Sequence, residues 1–228
     1  EEIEPTRLYL HSGGCLSFES STRAGESFTE FVSDPAKPVP YRVRPIIASG
    51  DSTWHRWLVD DQRPFADRPD VLTFVCEPLT APVTMRGEVA ATLFASTTGS
   101  DADWVVKLID LYPNEVPSRP ELGGYQLMIA GDILRGRYRE SFDTARPIPP
   151  GEVLPYRVPM PHVNHTFLPG HRMLVQIQSS WFPLYDRNPQ TFIDSIAWAE
   201  PEDYRKATHR IHHANGAASF VEVSVQAA

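Results

Sequence analysis

Few residues of this 228-residue chain have types and spacings that could do chemistry. His162 and His165 stand three apart, a spacing that on a helix would turn both imidazoles to one side for a metal ion. Pro159 and Pro161 precede them, so extended chain is expected, in which positions i and i+3 point apart. His209, His212 and His213 cluster near the end and are read as structural. Asp101 and Asp103, one residue apart, offer oxygens suited to calcium. They lack the further acidic positions and the glycine of an EF-hand loop, so the expectation is that they cap backbone N–H groups in a turn before a strand. Ser179 or Ser180 with a histidine and an aspartate would make a hydrolytic triad, but nothing in the spacing selects a set. No Gly-x-Ser-x-Gly elbow occurs anywhere in the sequence, and an α/β-hydrolase needs that strained turn to present its serine. No catalytic residue, cofactor or metal ligand is therefore assigned.

Two other groups of residues suit contacts more than chemistry. Arg135, Arg137 and Arg139 alternate in LRGRYRESF, which on a strand puts all three on one face. That face is either a solvated edge that discourages further pairing or a ladder meeting carboxylates across a domain interface. The stretch 50–69 carries Trp54, Trp57 and Phe65 around Asp60, Asp61, Gln62 and Arg63. Long aromatic-bearing loops in compact domains pack on something or bind something, so these residues are expected to expose an apolar patch facing a neighbouring domain or cleft. Trp181 and Phe182, with Asp186 and Arg187 in WFPLYDRNPQ, form a second stretch of that kind, stiffened by Pro183 and Pro189. Trp54, Trp57, Trp181 and Phe182 are also the residues a sugar-stacking platform would use, although such aromatics are more often core or interface anchors.

The elements that must position these residues are strands. Proline makes up 22 of 228 residues, about twice its usual ~5% share, which breaks helices and favours short strands joined by turns. Strands are expected at Arg7–His11 and Cys15–Glu19, joined through Ser12-Gly13-Gly14, then at Ser27–Val32, Val71–Cys76, Val83–Ser96 and Trp104–Tyr112. Further strands are expected at Tyr125–Phe142 with a bend, Tyr156–Met160, His171–Ser180, and at Thr208–His212 and Ser219–Gln226. Asn215-Gly216 between the last two signals a hairpin. Trp104–Tyr112 is apolar in both registers, so neither of its faces belongs to solvent. The expected fold is all-β, a two-sheet jelly-roll sandwich, with 1–228 as one domain. Cys15 and Cys76 each sit in an apolar pattern and are expected to be separate buried thiols.

With 21 basic against 29 acidic residues the net charge is −8, which repels phosphate backbones, so nucleic acid is excluded as a partner. No apolar run nears the roughly 18 residues of a membrane helix, so no membrane partner is expected. The opening EEIEPT lacks the basic and apolar regions of a signal peptide and leaves the compartment open.

Several strings, in order along Thr6 to Val225, resemble one protein family. They are DVLTFVCEPLTAPVTMRGEVAATLFAS, GSDADWVVKLIDLYP, GGYQLMIAGDILRGRYRESF, NHTFLPGHRMLVQIQSSWFPLYDRNPQT and ATHRIHH. The chain is identified as similar to the C-terminal β-sandwich domain, galactose-binding-domain-like, of the Xaa-Pro dipeptidyl-peptidase, α-amino-acid ester hydrolase and cocaine esterase-like serine hydrolases. The wording is nearest the glutaryl acylase-like branch. That resemblance implies a parent enzyme cleaving ester or amide bonds through an acyl-serine, with its machinery in a different, N-terminal α/β-hydrolase domain. None of that machinery maps here. The implied partners are that domain and further copies of the chain as an oligomer. Within the strings, Asn164 is placed to cap the loop before His171, and Asp186 and Arg187 to anchor theirs. The expected role is a non-catalytic domain that braces the hydrolase domain and helps wall its active site. The alternative from another class is a free-standing carbohydrate-binding module, because jelly rolls also serve lectin-like roles.

Overall fold

The computed structural model describes residues 3–22, 25, 27–46, 54–214 and 216–226. Eleven strands lie among them: β1 (Ile3–His11), β2 (Cys15–Ser17), β3 (Phe28–Ser33), β4 (Leu72–Val75), β5 (Val83–Thr97), β6 (Asp103–Leu111), β7 (Gln126–Arg135), β8 (Leu154–Phe167), β9 (Arg172–Gln178), β10 (Ala207–His212) and β11 (Phe220–Gln226). The hydrogen-bonded path runs β3-β10-β5-β11-β1-β2-β4-β9-β6-β7, with β8 on the other edge of β5. The path folds back on itself. Strand β6 is bonded only to β7 and β9, yet the Trp104 ring meets Tyr156 of β8 and His209 of β10, each at 5.1 Å between centroids. Trp104 thus sits between two facing layers of an all-β sandwich.

Alternation in sequence decides which side chains fill that space. In β5, Met85, Val89, Ala91, Leu93 and Ala95 are at most 2% exposed. In β9, Met173, Val175 and Ile177 face the same core. In β6 every residue from Asp103 to Asp110 is buried, as a strand apolar on both faces requires. The β1–β2 turn contains Gly13 and Gly14 at φ 81° and 75°, and a Cβ on Gly14 would stand 2.9 Å from the Thr73 carbonyl oxygen, so only glycine fits.

Three expectations need correction. Strand β8 extends well beyond Tyr156–Met160, through Pro155, Pro159 and Pro161. Among the described residues it pairs with β5 alone, which leaves an edge that needs no N–H donors and so tolerates proline. The Asn215-Gly216 signal makes no hairpin. Asn215 itself lies outside the described residues, but β10 pairs with β5 over Ala95–Thr97 and β11 over Met85–Thr92. The two strands therefore follow one another along one edge of β5, and the Ser219 N–H donates to the His212 carbonyl to close the excursion between them. Finally, Cys15 is exposed and only Cys76 is buried.

A second layer covers the outer face of β9-β6-β7. Gln176 and Gln178 alternate with apolar residues and look like a solvent face, yet both are 0% exposed. The chain at 39–46 and 54–66 overlies that face, tied by a bridge between Pro40 and Phe182, by the Phe182 N–H to the Val39 carbonyl and by the Val39 N–H to Ser180 Oγ. Tyr41 and Trp181 pack on Val105 of β6, with Trp57 against them. Phe65 joins Val39 and Val71 in a small separate cluster.

Candidate functional site

The charged residues gather at three places. The first is the turn before β6. Asp101 is fully buried, and its Oδ1 accepts the Ala102 N–H at 2.9 Å. Its Oδ2 accepts from Arg137 Nε and Nη2, both at 2.8 Å. Arg137 also donates to the Ile193 carbonyl at 2.9 Å and lies 4.7 Å from the Phe192 ring centroid. Asp103 accepts from Asn188 Nδ2 at 2.8 Å and from Arg135 at 3.2 Å. Burial raises the pKa of both carboxyls, that of Asp103 to about 7, against the opposing pull of the arginines.

Capping thus falls to Asp101, whereas Asp103 holds side chains. Arg135 and Arg137 meet buried carboxylates of this domain, and the three arginines do not share a strand face. Strand β7 ends at Arg135, and Gly136–Tyr138 forms a 3-10 turn that swings Arg137 inward. Arg139 follows the turn and donates to the carbonyls of Gly136, Arg146 and Pro147. This geometry sets a graded expectation. Asp103→Ala should cost about 1–3 kcal/mol because it leaves the buried Asn188 amide unpaired, whereas Asp103→Asn keeps an acceptor and should cost about 1 kcal/mol or less. Urea melts of the two variants at pH 7 check it; equal losses would contradict it.

The second place is under the covering layer. Lys107 is fully buried on β6, and its amine donates to Gln62 Oε1 at 2.9 Å. It lies 5.4 Å from the Phe65 ring centroid and 5.2 Å from that of Trp181. Burial alone pushes its pKa down to about 7. The third place is the far end of β6, where Asp110 accepts from His165 at 2.9 Å and from His171 at 2.8 Å, joining β8, β6 and the start of β9. Neither Lys107 nor Asp110 carries a local signal in the sequence, because their partners lie tens of residues away.

The remaining candidates are placed as follows. Phe65 and Trp181 are each 3% exposed and belong to the covering layer's own packing, which removes them from an exposed patch. Gln62, 1% exposed, is occupied by Lys107. Trp57 meets Trp181 edge-on at 82°, so the two form no flat platform for a sugar. The side chain of Trp54 lies outside the described residues. Asp60 pairs with Arg42 at 3.0 Å, and Asp61 pairs with Arg63 while accepting the Gln126 N–H. Asp186 is exposed, 3.8 Å from Arg135. Arg187 donates to the Pro35 carbonyl at 3.0 Å and lies 5.9 Å from Phe182 and 4.8 Å from Tyr204, an anchor of its loop. Asn164 sits in β8 opposite Arg86 instead of capping the loop; the turn there is closed by the His171 N–H to the Leu168 carbonyl. Ser180 Oγ is taken up by the Val39 N–H and Ser179 is buried, so neither is presented as a nucleophile. Among the described residues no group of three or more His, Cys, Asp or Glu side chains is arranged to hold a metal ion.

Comparison with known proteins agrees with this architecture. Cocaine esterase from Rhodococcus sp. (strain MB1 Bresler) is 38% identical over 201 residues, covering 88% of this chain and 32% of that protein. A crystal structure of an aminopeptidase from a marine sediment archaeon, Thaumarchaeota archaeon, superposes with a TM-score of 0.96 at 56% identity, covering 99% of this chain and 37% of that one. An α-amino acid ester hydrolase superposes with a TM-score of 0.93 at 52% identity, over 97% of this chain and 36% of that one. The chain therefore spans about a third of the length of these relatives. Residues 2–222 match the family described as the X-Pro dipeptidyl-peptidase C-terminal non-catalytic domain, and the chain belongs to that family.

Proposed function

We propose that residues 1–228 are one jelly-roll domain, galactose-binding-domain-like, of a longer acyl-serine hydrolase. It braces the N-terminal α/β-hydrolase domain of the same polypeptide and helps wall its active site. The relatives named above are an esterase, an aminopeptidase and an ester hydrolase, so the parent enzyme would act on ester or amide bonds. The observation that carries the docking is the contrast between the two outer faces. On the β1-β11-β5-β8 face, Arg7 and Arg157 both pair with Glu222, and His162 approaches Glu88, a solvated and self-satisfied surface. On the opposite side the covering layer exposes Val43, Leu58 and Val59 at 60%, 52% and 55%. Exposed apolar side chains that form a contiguous patch mark an interaction surface; on the other face Phe142, 78% exposed beside Arg157, stands among these charges.

Two measurements test this. The isolated chain should hydrolyse chromogenic esters and Xaa-Pro anilides no faster than buffer; turnover stopped by a serine-directed inhibitor would overturn the non-catalytic assignment. The upstream part of the parent enzyme, produced separately, should bind the chain, and Leu58→Asp with Val59→Asp should weaken that binding at least tenfold. Unchanged affinity would move the docking face elsewhere.

A further inference from the structure

The covering segment from Trp54 to Ala66 closes over an amine for which the fold provides little charge compensation. Lys107 is wholly inaccessible, and among the described residues its one hydrogen-bond acceptor, Gln62 Oε1, is neutral and belongs to the cover itself. The ring faces of Phe65, also from the cover, and of Trp181 complete its surroundings. From the sheet, Lys107 is flanked in register by Gln176 of β9 and Gly131 of β7. Its neighbours on its own strand face are Val105 and Ile109. Among the described residues the acidic groups on the packed elements are engaged elsewhere. Asp60 pairs with Arg42 and Asp61 with Arg63, while Asp132 of β7 caps the Ile133 N–H.

The cover has no strand pairing to the sheet. It is a 3-10 turn (Trp54–Val59) followed by a four-residue helix (Arg63–Ala66). Side-chain packing holds it, Phe65 with Val39 and Val71 and Trp57 against Tyr41 and Trp181. Rim contacts add to this: the Tyr125 hydroxyl to the Val59 carbonyl, the Gln62 N–H to the Gln126 carbonyl at 3.1 Å, the Gln126 N–H to Asp61, Arg63 to the Gly123 carbonyl at 2.9 Å and Arg42 to Asp60 at 3.0 Å. A segment without ladder hydrogen bonds opens more readily than the strands beneath it.

We propose that Trp54–Ala66 is a proton-sensitive flap: it seats when the Lys107 amine is neutral and lifts to let water solvate the amine when it is charged. A group that must shed a proton to be covered couples one proton to closure. Opening should then become about tenfold more frequent for each unit by which pH falls across the window where the seated amine is neutral and the solvated one charged. That window runs from the ordinary lysine value of 10.5 down to about 7. The outer surface of this flap carries Leu58 and Val59, so its seating also sets the shape of the face proposed above for docking, although the test below does not depend on docking.

Hydrogen exchange of the isolated chain between pH 7 and 9, corrected for intrinsic rates, reads the flap directly. Protection of amides in 57–66 should rise about tenfold per pH unit in the parent protein and stay flat in Lys107→Met, while amides of β5 and β11 hold constant in both. A flat parent profile, an equal rise in the variant, or a rise shared by the whole sheet would each overturn the proposal. If Lys107→Met does not fold, lysine side-chain NMR of the parent protein decides. Titration of Lys107 near neutral pH together with a shift of the Trp57 indole signal supports the flap, and an amine charged up to pH 10 overturns it.

Discussion

Arg137→Met is expected to lower the unfolding free energy by about 3–5 kcal/mol, the range for removing one partner of a buried ion pair. The guanidinium and the Asp101 carboxylate are both at most 2% exposed. Without Arg137, Asp101 keeps the Ala102 N–H and the Asn188 side chain but no cation, and its carboxyl, already raised in pKa by burial, must take up a proton or remain charged away from water. The Ile193 carbonyl loses its donor at the same time. The pair itself contributes far less than this loss suggests, because taking both ions out of water offsets most of their attraction. Combining Arg137→Met with Asp101→Asn should therefore recover more than half of it. The asparagine oxygen can still accept the Ala102 N–H and no charge stays buried. Urea denaturation at pH 7 of the parent, the single and the double variants measures this. A single variant within 1 kcal/mol of the parent, or a double variant no better than the single, would sink the ion-pair account.

Much of the sandwich is legible in the sequence because strand burial is written with a period of two. Met85 to Ala95 and Met173 to Ile177 alternate as core strands must, and Trp104 to Leu111 carries apolar residues in both registers because both of its faces are covered. The charged centre is less legible. Arg135, Arg137 and Arg139 suggest one strand face only if the strand continues. Gly136 is the residue that shows it does not: a Cβ there would stand 2.8 Å from both the Ala102 carbonyl oxygen and Ile148 Cδ1. A glycine inside an apparent strand marks such a close approach, and it was the available signal that Arg137 turns inward. Lys107, Asn188 and Gln190 gave no comparable signal. Each is an ordinary polar residue until a segment distant in sequence packs on it, as Gln62 does across 45 positions. The covering layer explains the rest. Gln176 and Gln178 satisfy the pattern of a solvent face, and nothing local reveals that residues 39–46 and 54–66 lie over it.

His209 carries the largest expected pH effect. Gln190 gives both hydrogens of its amide to the carbonyls of Ser33 and Arg205, at 3.1 and 2.6 Å, so its oxygen must accept from His209 Nε2 at 2.8 Å. The proton of the neutral imidazole therefore sits on Nε2. Nδ1 is a buried lone pair without a hydrogen-bond partner among the described residues, and the imidazole meets the rings of Trp104 and Phe31. Protonating it would bury a cation, and burial holds the folded pKa down at about 3 against an ordinary 6.5. Between those values the unfolded chain carries a proton that the folded chain refuses. Stability must then fall as pH drops, by about 1.4 kcal/mol per unit. His213, lowered to about 4, acts in the same direction. Asp103, raised to about 7, and Asp101, also raised by burial, act in the opposite one, because there the folded state holds the extra proton. From pH 6.5 to 4.5 His209 alone should cost the parent protein about 3 kcal/mol. His209→Phe starts from a lower stability, having left the Gln190 oxygen unpaired, but its change across the same interval should be less destabilising than the parent's by about that amount. Denaturation midpoints at pH 6.5, 5.5 and 4.5 for both proteins separate the outcomes, and a variant as acid-sensitive as its parent would show that His209 does not set the slope.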